Sequence, residues 1–510
     1  MKYPFETISE LITQGRPDDA AIGAPGRPAL TYAGLQDLAA RTVAALNRVG
    51  IGRGDRVAIV LPNGPEMATA FVAAASGATS APLNPAYRAD EFDFYLGDLN
   101  AKALLILRGF DSPARAMATQ RGVPIIELVP TEGAGAGDFT VETGDLASTA
   151  PLQGGIATAE DVALVLHTSG TTSRPKIVPL RQRNVAASAH HIRETLALTH
   201  TDVCLNIMPL FHIHGLIAAV LSSLAGGASV SCTPGFNALK FFGWFDEVKP
   251  SWYTAVPTMH QAILSRADRN KDEVARGRLR LVRSSSASLP PQVMEALEAT
   301  FGAPVIEAYG MTEASHQMAS NPLPPRPRFP GSVGIAAGPE IAIMTDAGTL
   351  QPSGELGEIV IRGPNVTDGY EANPEANAKG FTAGWFRTGD QGYLDEDGYL
   401  RLTGRLKELI NRGGEKISPL EVDTILMDHP AVAQVATFAV RHDKLGEEVA
   451  AAVVLRDGMS VDERTLRDFA AERLADFKVP RKILFMAEIP KGPTGKLQRI
   501  GLAKQLGLEA

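Results

Sequence analysis

Cysteine is nearly missing from this chain: only Cys204 and Cys232 occur in 510 residues. Two cysteines cannot build a disulfide framework, so a reducing compartment is expected, with both residues as small core side chains. Long apolar runs are missing as well. The longest, Leu216 to Val230, is broken by Ser222, Ser223, Gly226 and Gly227 and is too short to span a bilayer. The opening Met1-Lys-Tyr-Pro-Phe-Glu-Thr7 has no apolar signal-peptide core, which predicts a cytoplasmic protein without a membrane partner. Positive charge is not in surplus; the formal net charge is −8. That excludes nucleic acid as the main partner, because phosphate-backbone binding needs a concentrated basic surface. Small anions stay open, since local cations suffice for them. No repeat of fixed period occurs, and no Gly-Lys-Ser/Thr ending marks a Walker-type phosphate loop.

What is present describes a globular chain of more than one domain. Hydrophobic residues make up 45% and charged residues 21%, and the length exceeds what one ordinary core supports. Short apolar runs, such as Arg56-Val-Ala-Ile-Val-Leu61, Ala103-Leu-Leu-Ile-Leu107 and Pro124-Ile-Ile-Glu-Leu128, read as buried strands. Amphipathic segments, including Pro65 to Ala75 and Gln292 to Thr300, lie between such runs. The alternation predicts layered α/β structure with largely parallel sheets. After residue 404 the pattern changes. A helix is predicted near Ser418-Pro-Leu-Glu421, with serine as cap and proline in the first turn. Strands are expected over Ala433 to Val440 and Glu448 to Leu455, and a helix over Val461 to Leu474. The chain thus divides into a large α/β domain, 1–404, and a small α+β domain, 405–510.

The strand-like Val162-Ala-Leu-Val-Leu166 opens into His167-Thr-Ser-Gly-Thr-Thr-Ser-Arg-Pro-Lys176. Glycine lets the backbone approach a phosphate, hydroxyls and amides donate to its oxygens, and Arg174 and Lys176 neutralise its charge. Further along, Tyr309-Gly-Met-Thr-Glu313 follows the strand-like Pro304-Val-Ile-Glu307. A carboxylate just past a strand end suits a magnesium ion bridging nucleotide phosphates. Trp385-Phe-Arg-Thr-Gly-Asp390 ends in an aspartate able to accept both hydroxyls of a ribose. Arg401-Leu-Thr-Gly-Arg405 puts an arginine at the domain junction. The tail holds Pro490-Lys-Gly-Pro-Thr-Gly-Lys-Leu-Gln-Arg499.

In this order and spacing the segments resemble the adenylate-forming superfamily of acyl-CoA synthetases, peptide-synthetase adenylation domains and luciferases, over essentially the whole chain. The resemblance implies an ATP site built from Thr168, Ser169, Gly170, Thr171, Thr172 and Lys176 at the phosphates. Ser286, Ala287, Ser288, Glu307, Ala308 and Tyr309 would lie around the adenine, and Asp390 and Arg405 would hold the ribose. Thr312 and Glu313 would contact phosphate, with Glu313 the Mg2+ ligand. Lys407 would be the hinge between the domains and Lys496 the catalytic lysine. Gly413 and Gly414 would border the tunnel for coenzyme A. One departure stands out: Ile177 occupies a position where the superfamily usually has glycine. A branched residue resists positive φ, so an extended backbone is required there, or a different loop shape.

Longer matching phrases, among them Pro209-Leu-Phe-His-Ile-His-Gly215 and Glu307-Ala-Tyr-Gly-Met-Thr-Glu-Ala-Ser-His316, resemble plant, fungal and bacterial oxalyl-CoA synthetases. The implied acyl pocket draws on His212, His214, Ser286 and His316. A buried polar cluster costs free energy without a polar ligand, so these residues imply a small hydrophilic acid. The alternative is that His212 only gates the pocket and His316 bonds only to backbone. Malonate is the nearest rival substrate, although malonyl-CoA synthetases resemble each other in an arginine where this chain has Ala308. A stand-alone enzyme that loads a carrier protein is a further reading. Oligomeric state stays open.

Overall fold

The apolar runs form the inner strands of two large sheets. The computed structural model describes residues 3–168, 175–492 and 495–508. In a seven-stranded sheet, Arg56–Val60 pairs in parallel with Thr79–Pro82 and Ala103–Leu107, and the edges Phe139–Glu142 and Ile177–Arg181 are antiparallel. A nine-stranded sheet has a parallel centre that includes Val203–Asn206, Trp252–Ala255, Leu281–Ser285 and Val305–Met311. Its antiparallel strand His316–Ser320 folds back beside Val305–Met311. Parallel strands covered on both faces favour continuous apolar runs, which Arg56–Val60 and Ala103–Leu107 have, whereas Leu281–Ser285 carries the buried Arg283.

Helices fill the space between the sheets. Pro65–Ala75 touches strands of both sheets, and every residue in it but Glu66 is buried. The amphipathic reading of this segment is therefore wrong in one respect, because a helix between two sheets needs apolar side chains all round. Pro291–Phe301 does bury a single face, through Val293, Met294 and Leu297. The interrupted run Leu216 to Val230 becomes part of the buried π-helix His214–Leu221, the short helix Ser222–Ala225 and the strand Ser229–Cys232. Cys204 and Cys232 are free, fully buried thiols on neighbouring strands. Among the described residues, no helix is long and apolar enough to cross a membrane.

A third, antiparallel sheet of five strands ends with Leu400–Arg405. The chain then turns and builds a small domain around its own five-stranded sheet and its own core, which includes Ile410, Val422, Val435 and Val449. Ser418 caps the helix Pro419–Met427 by accepting from Glu421 N at 3.3 Å. The last predicted helix is shorter than expected. It spans Glu463–Ala471 because Asp462 accepts from Thr465 N at 2.7 Å and so fixes the first turn.

The strand Val305–Met311 runs further than Glu307, carrying Tyr309 and Gly310 into the ladder with a register shift between them. A Cβ on Gly310 would lie 1.7 Å from the His316 carbonyl oxygen. Only glycine admits that approach, which brings His316 back against the strand.

Candidate active site

Three of the predicted groups meet at one end of the seven-stranded sheet. Thr168 and Lys176 close their loop through Thr168 N donating to Lys176 O at 2.9 Å and Lys176 N donating to Thr168 Oγ1 at 3.3 Å. Ser169, Gly170, Thr171 and Thr172, with Arg174, lie outside the described residues. The Lys176 ammonium sits 4.1 Å over the ring of Tyr370, whose hydroxyl donates to Glu313 Oε1 at 2.8 Å. Burial and the nearby Lys407 hold Lys176 below the usual lysine range, against the pull of Glu313. Glu313 lies in the 3₁₀ turn Thr312–Ala314, just past the strand end, and its carbonyl accepts from Thr367 N at 2.7 Å. Thr312 heads that turn and is half-exposed. Ile177 opens the strand Ile177–Arg181 opposite His167, buried and extended. The residue that departs from the superfamily pattern is thus an ordinary strand residue.

A second group surrounds Asp390, which is 5% exposed. It accepts from Tyr309 Oη at 2.5 Å through one oxygen and from Arg405 Nε at 3.0 Å through the other. Asp390 and Arg405 face each other across an antiparallel pair, so strand register sets their contact. Close by, Ser285 Oγ donates to Ala308 O at 2.8 Å, and Leu289 N donates to Glu307 Oε1 at 2.8 Å. These bonds fasten both ends of the loop holding Ser286, Ala287 and Ser288, the latter two exposed. Burial raises the Glu307 carboxyl to about 8, and its Oε2 has no partner. Glu307 therefore anchors the loop from behind as a neutral acid near pH 7. Ser286 has φ +77°, a strained value for a residue with a Cβ.

The third group lies where the π-helix begins. His214 Nδ1 is 2.9 Å from Ser286 Oγ, and its Nε2 is 2.6 Å from Thr254 Oγ1. The His316 ring stands edge-on to His214 at 5.0 Å between centroids. His316 has φ +100°, and its Nδ1 has no partner. Burial holds both imidazoles well below the usual range, helped by the cationic Arg283 and Lys496. His212 is half-buried beside them, and its Nδ1 accepts from His214 N at 3.3 Å. Burial and Lys496 lower His212 to about 3. π-helical turns collect at functional sites because the widened turn re-aims side chains.

The small domain brings Lys496 to this place. Gly495 O accepts from Thr258 Oγ1 at 2.7 Å, and Gln261 Nε2 donates to Ala433 O at 3.3 Å. Burial, and secondarily Arg405, pull the Lys496 ammonium down to about 8, with Asp390 opposing. Lys407 is exposed in the turn after Arg405. Gly413 and Gly414, at φ +61° and +100°, form the two-residue hairpin between Ile410–Arg412 and Glu415–Ile417. Gly413 N donates to Leu445 O at 2.8 Å within the small domain.

Lys176 thus lies within reach of the charges of Glu313 and Lys407, and the docked Lys496 within reach of the Asp390–Arg405 pair. The AMP-binding enzyme family matches residues 11–371, and the AMP-binding enzyme C-terminal domain matches residues 421–496. The chain belongs to the AMP-binding enzyme family. It is 46% identical over 96% of its length to an oxalate–CoA ligase of Arabidopsis thaliana, covering 96% of that protein. It is 42% identical over 89% of its length to an oxalate–CoA ligase of Saccharomyces cerevisiae, covering 87% of that protein. Among solved structures, ATP-bound MatB from Rhodopseudomonas palustris superposes with a TM-score of 0.87 at 29% identity, covering 99% of this chain and 98% of MatB.

In this AMP-binding enzyme, sequence reasoning missed Tyr370, Thr254, Arg283 and Gln317. Tyr370 and Thr254 sit in unremarkable contexts and gave no signal. Arg283 did give one: it is a charged residue within the otherwise apolar or small strand Leu281–Ser285, where a cation needs a reason to be buried.

Proposed function

We propose that this AMP-binding enzyme is an acid–coenzyme A ligase whose acid is oxalate. The observation that carries the reading is the acyl end of the site, where His214, Ser286 and the unpartnered His316 Nδ1 form a buried polar floor. An apolar acid would leave His316 Nδ1 and the second hydrogen-bonding position of the Ser286 hydroxyl unpaired, each at a cost of roughly 1–3 kcal/mol. A short dicarboxylate pairs them. The relatives named as oxalate–CoA ligases support the same acid.

The chemistry runs in two steps. A carboxylate oxygen of the acid attacks the α-phosphorus of ATP, and pyrophosphate leaves with the bonding electrons. The thiol sulfur of coenzyme A then attacks the acyl carbon, loses its proton, and AMP departs. In the first step two anions meet, so cations aimed at the developing charge carry the catalysis. Lys496, docked through Gly495, would bridge the carboxylate and α-phosphate. Thr168, Lys176 and Thr312 would hold the phosphates, Asp390 and Arg405 the ribose, and Ser286 to Ser288 with Tyr309 the adenine. Glu313 fits a magnesium ion held mainly by nucleotide phosphates, since magnesium takes one or two carboxylates and fills its sphere with phosphate and water. Such an ion, when bound, would neutralise phosphate charge.

The second step needs a vacated acyl carbon. The unit from residue 405 to 510, turning about Lys407, would withdraw Lys496 and bring the Gly413-Gly414 hairpin to the coenzyme A path. Buried free thiols at Cys204 and Cys232 suit a reducing cytoplasm. Pyrophosphate release measured with oxalate, malonate, acetate and hexanoate tests the reading. Oxalate is expected to give the highest kcat/KM; a preference for hexanoate or acetate would sink it.

A further inference from the structure

A buried arginine without a carboxylate lies beneath the acyl end of the site. Arg283 is fully buried in the middle of Leu281–Ser285. Its Nη1 lies 3.5 Å from Thr254 Oγ1, its Nη2 donates to Gln317 Oε1 at 3.2 Å, and its Nε has no partner. Among the described residues it makes no ion pair. Burial lowers it to about 9, so it is charged at neutral pH. Buried charges are normally paired, and this one faces His214 and His316, with Cys204 beside it. The other groups that lower the two histidines are His212 and the cation Lys496, with His316 acting on His214 as well. Among the described residues, the charged groups acting on His214 and His316 are cations, with no carboxylate beside them.

The hydrogen-bond directions around Arg283 follow from donor counting. Arginine can only donate, so Thr254 Oγ1 accepts from it. Thr254 is fully buried, and its other hydroxyl neighbour is His214 Nε2. If His214 donated as well, the Thr254 hydrogen would have no acceptor among the described residues. Thr254 therefore donates to Nε2. A neutral His214 then carries its proton on Nδ1 and donates to Ser286 Oγ. The Ser286 hydroxyl is left free to donate into the pocket. Reversing the chain would turn that hydroxyl back onto His214 and remove the donor.

We propose that Arg283 is the positioning residue that makes the site select a doubly charged acid. Its charge is the counter-ion for the distal carboxylate, and its donation into Thr254 drives the Thr254–His214–Ser286 chain toward the pocket. The inference rests on the reading of His214, Ser286 and His316 as the acyl end. Gln317 fixes the guanidinium from the far side, so the charge cannot swing away.

Oxamate, in which a neutral amide replaces one carboxylate of oxalate, isolates the charge. The measured quantity is kcat/KM for oxalate divided by that for oxamate, from pyrophosphate release, with KM for ATP as the control. Arg283→Met should lower the ratio about 30-fold or more, chiefly through KM for the acid, with KM for ATP within about two-fold of wild type. Arg283→Lys should keep part of the ratio at pH 6 and lose it as pH rises, because a buried lysine discharges earlier than arginine. The wild-type ratio should stay flat from pH 6 until Arg283 itself discharges near 9, since Lys496 acts on both acids alike. Thr254→Val should lower kcat/KM for both acids together, through the lost Ser286 donor. If Arg283→Met proves insoluble, the pH dependence of the Arg283→Lys ratio decides alone. An unchanged ratio in Arg283→Met, a pH-independent ratio in Arg283→Lys, or equal losses for ATP and both acids would overturn the proposal. Should wild-type enzyme prefer malonate, the function reading falls, and malonate against its monoamide tests Arg283 unchanged.

Discussion

The lysine that arrives from the small domain should write its titration into the pH profile of the first half-reaction. Lys496 is lowered from 10.5 to about 8, mainly because docking takes its ammonium out of water. The sign follows directly. Adenylate formation needs the ammonium, so kcat/KM for the free enzyme should fall as pH rises through about 8. The protonated fraction drops from about 90% at pH 7 to about 10% at pH 9, a loss of roughly ten-fold. Bound phosphate and carboxylate favour the charged form, so the same limb in kcat should move to higher pH. Docking itself carries the opposite sign: the desolvation cost is full below pH 8 and is relieved between 8 and 10.5. Lys496→Ala should remove the limb and lower adenylation by about two to three orders of magnitude. It should leave thioester formation from a supplied acyl-adenylate close to wild type. The assays are pyrophosphate release for the first step and thioester formation for the second, each across pH 6–10. A limb that persists in Lys496→Ala, or equal loss in both half-reactions, would refute the assignment.

The other expectations concern separate parts of the site. His316→Ala should lower oxalate-dependent pyrophosphate release by one to two orders of magnitude, from the loss of one charge-assisted donor of roughly 1.5–3 kcal/mol, while KM for ATP changes little; an unchanged ranking of acids would count against it. Asp390→Asn leaves Arg405 without its anion and offers the ribose one acceptor fewer, so KM for ATP should rise about ten-fold or more at unchanged KM for the acid. Lys407→Pro should spare adenylation and block transfer to coenzyme A, because proline fixes φ at the turn; normal overall turnover would exclude a hinge there. Gly310→Ala forces a Cβ to within 1.7 Å of the His316 carbonyl oxygen, so a loss of at least about 1–3 kcal/mol in thermal or denaturant unfolding is expected, together with loss of acid binding.

Much of the architecture was legible because it is local. The strand Ala103–Leu107 and the helix Pro65–Ala75 have the expected bounds, since apolar runs and a proline in the first turn are short-range signals. Ser418 as a cap is of the same kind. Errors came where tertiary context overrode local pattern. Pro65–Ala75 is buried on every face, and Val305–Met311 outruns its apolar stretch because a returning strand pairs with it through Gly310.

The chain by itself determined that it folds as a layered α/β protein with a small α+β domain, and it carries the motifs of the AMP-binding enzyme family. Those properties sit in contiguous phrases, where residue type and spacing carry the physics. Tertiary structure decided what the phrases do to one another. Thr254 joins His214 to Arg283 across three separate elements, and Asp390 meets Tyr309 from 81 residues away. Gly495 reaches Thr258 across 237 residues. None of these contacts has a periodicity to read, because each depends on sheet register, strand crossover and domain docking. The role proposed for Arg283 has the same origin: a charge in a strand gains significance only when folding buries it against Thr254 and Gln317, with no ion pair among the described residues.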